Sequence, residues 1–210
     1  MQLAQFITEQ RRAFISAFRS ANYPVAIRGV DMLGRFLFPP ATWQWDSSVG
    51  DGEEALVRTV QTEQGEHKEF WIDPSRPYRN AFKSFLYREY GVPLENIPQS
   101  LHADHMFNKA LAIKHGLQYV RMALVPGLYN SGWGGRIERM LTNMLSRDNS
   151  CYRLDCFIFM KVMNITPPAD YADYQARRTP IAQQLSAETG IPADQLLMAM
   201  DGMFGLWRVN

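Results

Sequence analysis

The densest group of chemically capable side chains in the chain lies in Leu101–Ala110, LHADHMFNKA, where His102, Asp104 and His105 fall within four residues between apolar neighbours. Imidazole has its ordinary pKa near neutrality, so it can take or give a proton at working pH. A carboxylate beside it can bind a hard cation or orient the ring. Two other readings of the same residues stay open. Asp104 is a good N-cap for a helix over HMFNKALAIKHG, its side chain accepting a backbone N–H. His102, His105 and His115 are alternatively three zinc ligands, the first two at an i, i+3 spacing.

Any such chemistry depends on the segments that hold these residues. Leu3, Phe6, Ile7, Phe14, Ile15 and Phe18 recur at helical spacing and predict an amphipathic helix over 3–19. YPVAIRGVDMLGRFLFPP reads as strand and loop. EALVRTVQTEQGEHKEFWIDP alternates on both sides of EQGE and predicts a β-hairpin turning at Gly65. RPYRNAFKSFLYREYG predicts a second helix with Gly91 as its stop, and VPLENIPQS is a proline-marked loop leading into LHADH. FNKALAIKHG gives two or three helical turns closed by Gly116, with Asn108 at a solvated position. LQYVRMALVP is a strand stopped by Pro126. GLYNSGWGGRIERMLTNML is a glycine-bearing loop running into a helix with Ile137, Met140, Leu141 and Met144 on one face. The tail holds two helices, starting at Thr179–Pro180 and Ile191–Pro192 and stopping at Gly190 and Gly202. A DNA-recognition helix needs polar side chains, whereas the second tail helix offers Leu196, Leu197, Met198 and Met200, so a packed αα-hairpin is expected.

Asp104–His105 is followed by a strand ending near Val125, then by Asn130 ahead of a helix, then by Glu138 eight positions later. In this order the sequence resembles the His-Me finger (ββα-metal, HNH-like) endonucleases, through Asp104 and His105 in ADHMFN and Asn130 in YNSGWGG. Asn130, Trp133 and Glu138 also look like the DNA/RNA non-specific nuclease branch. The resemblance covers about residues 100–145 and extends to nuclease domains of bacterial toxins. It implies an α+β fold with a ββα-metal-like core (strand, strand, helix), flanking amphipathic helices and a C-terminal αα-hairpin. The catalytic domain would span 1–165 and the hairpin 166–210. The activity implied is metal-dependent hydrolysis of phosphodiester bonds in DNA or RNA, as a toxin or effector, with nucleic acid as substrate and a cognate inhibitor protein as partner.

In that resemblance His105 is the general base, Asp104 and Asn130 hold Mg²⁺ or another divalent cation such as Mn²⁺, and Glu138 supports a metal-bound water or His105. Arg136, Arg139 and Arg121 would meet phosphates. The chemistry is coherent, since Mg²⁺ prefers oxygen ligands and keeps most of its waters, while the phosphorane needs charge neutralised. One geometric condition follows from strand alternation. Neighbouring side chains point to opposite faces, so Asp104 and His105 converge only where the chain leaves the strand. Asn130 as a cap or turn residue and Glu138 as a helix-surface residue remain open alternatives.

With 46% hydrophobic and 20% charged residues, the composition is that of a globular chain. No run approaches the roughly 18 apolar residues of a membrane span, and no membrane partner is expected. Charges interrupt the apolar periodicity of MQLAQFITEQRRAFISAF, so it is not read as a secretory signal. A cytoplasmic site of synthesis is expected, with any delivery to another cell independent of a signal peptide. A net charge of +1 excludes a wholly basic coat, yet eight Lys and Arg face four Asp and Glu from Asp104 to Lys161. The two cysteines of CYRLDC are read as buried or idle thiols. The alternative functions are a non-catalytic protein-interaction domain, or a DNA-binding regulator using the C-terminal helix pair.

Overall fold

Helix α1 occupies Leu3–Arg19 and buries Phe6, Gln10, Ala13, Phe14 and Ala17 along one stripe, the consequence of apolar side chains at helical spacing. The computed structural model describes residues 3–20, 23–35, 41–47, 53–62, 65–136 and 151–205. After α1 come β1 (Pro24–Ile27), α2 (Asp31–Arg35), β2 (Ala41–Trp45), β3 (Ala55–Thr62) and β4 (Gly65–Ile72). The expected hairpin is present as β3–β4, in register from Ala55↔Ile72 to Thr62↔Gly65. Helix α3 (Arg79–Tyr90) ends on Gly91, whose φ of 63° is the left-handed conformation that glycine reaches without strain.

Next come β5 (Leu101–His105), α4 (Lys109–Lys114), β6 (Tyr119–Pro126) and α5 (Gly127–Arg136). The last described elements are β7 (Cys151–Arg153), α6 (Cys156–Val162), α7 (Tyr171–Thr189) and α8 (Ala193–Phe204). The chain is thus mixed α+β around an antiparallel sheet ordered β2-β3-β4-β6-β1-β7, with β5 attached to β6 off that path. β5 pairs with the second half of β6, from His105↔Met122 to Leu101↔Pro126.

Strand β6 is buried from Tyr119 to Val125 because both of its faces are covered. On one side α3 sets Phe82, Phe85 and Leu86 against Phe70, Ile72, Met122 and Leu124. Each such side chain contributes roughly 1.5–3 kcal/mol of transfer free energy. On the other side Phe14, Ile158 and Val162 pack on Val25, Ala123 and Val125. Buried Gln10 closes the edge of β6, its amide donating to the Leu124 carbonyl (2.9 Å) and accepting from the Leu124 N–H (2.8 Å). It thereby satisfies a ladder position that no strand reaches.

The tail departs from its expected boundaries. Helix α7 begins at Tyr171, where the Asp170 carboxylate accepts from Asp173 N, and Pro180 lies inside the helix and does not start it. An interior proline removes one hydrogen bond and costs about 3 kcal/mol. Burial of Tyr174, Ile181, Ala182 and Leu185 along the same helix offsets that cost. Gly190 ends α7 as expected, with φ 68°, but α8 runs through Gly202 to Phe204. The pair packs on α5 and α6 through a cluster joining Trp133, Phe157 and Phe159 to Tyr174, Leu196 and Phe204. Among the described residues no helix is long and apolar enough to cross a membrane.

Candidate functional site

LHADH forms a regular strand to its last residue. Pairing continues past it, since Met106 N donates to Arg121 O at 2.8 Å. Alternation therefore divides the opening group in two. Ala103 and His105 turn toward α3. His105 is buried, its ring 4.3 Å from that of Tyr78 in an edge-on contact at the head of α3. His102 and Asp104 turn the other way, toward α5 and α6.

Two observations place that second face. A Cβ on Gly127, the first residue of α5, would lie 2.6 Å from the His102 ring, so the helix head closes directly on β5. The Asp104 carboxylate is ion-paired with the Lys161 ammonium of α6, with side chains 17% and 4% exposed. Helix α5 starts at Gly127 with no loop after β6, where a glycine-bearing loop was expected. Asn130 consequently lies in its first turn, partly buried and one turn from Gly127, on a helix face shared at i, i+3. So β5 and β6 pair across a connection that holds α4, and α5 follows β6 directly, bringing Asp104 and the head of α5 to one side of the strand pair, while His105 lies on the other.

The remaining expected residues fall as follows. Arg136 is the last residue of α5. Glu138 and Arg139, like the helix face of Ile137, Met140, Leu141 and Met144, lie outside the described residues. Arg121 is corrected: it is 1% exposed and cannot meet a phosphate from the surface. Its guanidinium lies 3.1 Å from Glu69 and 3.9 Å from the Phe14 ring centroid. A strand buried on both faces buries whatever it carries, and Arg121 sits mid-strand. Asn108, expected in solvent, caps α4 by accepting from Leu111 N at 3.1 Å, the role weighed for Asp104. His115 is the residue following α4, and among the described residues no group of three or more His, Cys, Asp or Glu is placed to hold a metal.

Lys161 is the residue that sequence reasoning passed over. Its signal was present: every residue of CFIFMKV is buried, and a lysine in such a helix requires a carboxylate across the interface. Asp104 also bears on the metal that the resemblance implies. Its carboxylate and the Asn130 amide oxygen are hard donors suited to Mg²⁺, but a divalent cation would share the carboxylate with the ammonium of Lys161. The donor set fits in kind, with a competing cation built in. A cavity of about 540 Å³ lies elsewhere, lined by Phe18, Asp155, Cys156, Ile191, Gln195 and Met203, and takes in none of these residues. Compared with protein-family models, curated proteins and solved structures, the chain matches none.

Proposed function

We propose that the chain is a metal-dependent nuclease of the His-Me finger type, hydrolysing phosphodiester bonds of DNA or RNA. The observation that supports this reading most is the antiparallel pair β5 and β6, joined through the short helix α4 and followed directly by α5, with Asp104 on the strand face turned to the helix whose first turn carries Asn130. Asp104 and Asn130 would hold Mg²⁺ or Mn²⁺, which when bound neutralises charge developing on the phosphate. Lys161 holds the Asp104 carboxylate in place and presents a second positive charge beside it. In the same reading Arg136 and Arg139 would meet flanking phosphates, and Glu138 would support a metal-bound water or the base.

Two imidazoles compete for the role of general base. His105 is the one the resemblance implies, and it takes part if the end of β5 turns over on substrate binding. His102 already shares the face of Asp104. The reading extends to a toxin or effector held by an inhibitor protein.

The test is degradation of plasmid DNA and of RNA with Mg²⁺, Mn²⁺ or EDTA, comparing the parent with Asp104→Asn, Asn130→Ala, His102→Ala and His105→Ala. Cleavage is expected to vanish in EDTA and in Asp104→Asn. The variant lacking the true base should fall by about 10²–10⁴-fold. Absence of cleavage with every metal, or full cleavage by Asp104→Asn and Asn130→Ala, refutes the proposal.

A further inference from the structure

The sheet face beneath α1 holds a second polar group, on β3, β4 and β6, closed from solvent. Tyr23, Arg58, His67, Glu69 and Arg121 are all buried there. The Glu69 carboxylate accepts from Tyr23 Oη, from Trp71 Nε1 at 3.2 Å and from Arg58 Nη1 at 3.3 Å, and is ion-paired with Arg121 Nη2 at 3.1 Å. Three hydrogen bonds and that ion pair take up most of the roughly four lone-pair sites a carboxylate offers. Arg58 Nη2 and Arg121 Nη1 remain buried, with no hydrogen-bond partner among the described residues.

The charge does not balance either. Both guanidiniums are always cationic, against the single carboxylate of Glu69. Tyr23 stays neutral because burial, then the charge of Glu69, pushes its hydroxyl above its ordinary range. His67 stays neutral because burial pulls its pKa down to about 4. An excess of one positive charge is left where an unpaired ion is most costly. Water would satisfy the N–H groups but not the charge, and a polyanion would overshoot it. The two guanidiniums lie 5.1 and 5.2 Å from the Tyr23 ring centroid and lean on one carboxylate, which brings both to the same part of the face.

We propose that this face binds one halide-sized monovalent anion, held between Arg58 Nη2 and Arg121 Nη1. Crystals grown without halide and soaked in bromide are expected to give an anomalous peak between these atoms. In solution, exchanging gluconate for chloride at constant ionic strength should raise the unfolding midpoint saturably. The rise is roughly 5–10 °C at a hundredfold excess over Kd. Arg121→Met removes the excess charge and should remove the dependence. Water alone at the site, bromide at surface positions only, a midpoint indifferent to chloride, or an unchanged dependence in Arg121→Met would each overturn the proposal. If Arg121→Met does not fold, the two measurements on the parent chain decide it.

Discussion

The Asp104–Lys161 pair joins β5 to α6, and breaking it from either end should give unequal losses. Lys161 is the more deeply buried partner, 4% exposed against 17% for Asp104. Asp104→Asn leaves an ammonium in the interior facing a neutral amide. Removing one member of a buried pair costs about 3–5 kcal/mol. Lys161→Met keeps the stem packed and strands a carboxylate that still reaches some water, so the loss is smaller, about 2–3 kcal/mol. For a chain of this size each kcal/mol moves the midpoint by roughly 2–4 °C. The double variant Asp104→Leu/Lys161→Met strands neither charge, and apolar replacement of a buried pair is commonly neutral or stabilising. Urea unfolding of the parent, the two single variants and the double should therefore show strong coupling, with the double near the parent. Additive losses, or single variants within about 0.5 kcal/mol of the parent, would refute the reasoning. The double variant also separates stability from chemistry. It restores the fold without the carboxylate, so nuclease activity surviving in it would remove Asp104 from the metal site.

Three further outcomes are expected. Burial, reinforced by Arg121, pulls the His67 pKa down to about 4 against the pull of Glu69, so the unfolded chain binds a proton between pH 6.5 and 4 that the folded chain refuses. Stability should fall over that window by roughly 3 kcal/mol as pH decreases. Below it the loss continues through Glu69, whose burial raises its pKa but whose neighbours Arg121 and Arg58 hold the carboxyl below its usual range. Urea unfolding against pH measures this profile, and His67→Leu should flatten the arm above pH 4; an unchanged arm would assign it elsewhere. Asn108→Ala removes the cap of α4 and should cost about 1 kcal/mol in thermal unfolding while leaving any cleavage intact. Lastly, iodoacetamide should modify half-buried Cys151 first and Cys156 only on unfolding, since burial pushes the Cys156 thiol well above its ordinary range. Equal labelling rates would contradict that order.

Elements whose residues carry a helical period or a bounded strand-forming run were legible. Helix α1, the β3–β4 hairpin, α3 and β6 carry periodicity or strand-forming runs that end at a glycine, a proline or a charge, and they lie where the sequence puts them. Elements lacking such a pattern were not. Apart from Lys161, CFIFMKV is apolar all round, as suits a helix buried on every side, so no period marks it as a helix. The edge strand β2, ATWQW, pairs with β3 alone among the described residues and leaves Trp43 40% exposed, which blurs its alternation. Thr179–Pro180 misleads because proline usually opens a helix. Here nine helical residues precede Pro180, Tyr174, Ile181, Ala182 and Leu185 bury one face, and Asp170 supplies the real start. At the candidate site alternation alone foretold that Asp104 and His105 would part company. What sequence could not supply was which side α5 would cover, because that depends on where the chain turns after Pro126.

The two buried polar groups of this sheet differ in a way that bears on their roles. Glu69, Arg58 and Arg121 are buried between α1 and the strands, with the carboxylate held by three hydrogen bonds and the Arg121 ion pair. A group so enclosed cannot meet a polymer substrate, and its shifted ionisation reflects burial and neighbours serving the fold. Asp104 keeps 17% of its side chain in contact with solvent, at the closure of α5 on β5, beside the exposed ring of His102. Metal-assisted phosphodiester hydrolysis needs an approach for a backbone phosphate and a water, and a carboxylate that a metal can reach. Of the two groups, the Asp104 side of β5 is the one that keeps its carboxylate in contact with solvent, which favours it in the proposed reading. The strongly perturbed ionisations beneath α1, which would ordinarily draw attention as a site, belong instead to the part of the sheet that holds β4 and β6 together.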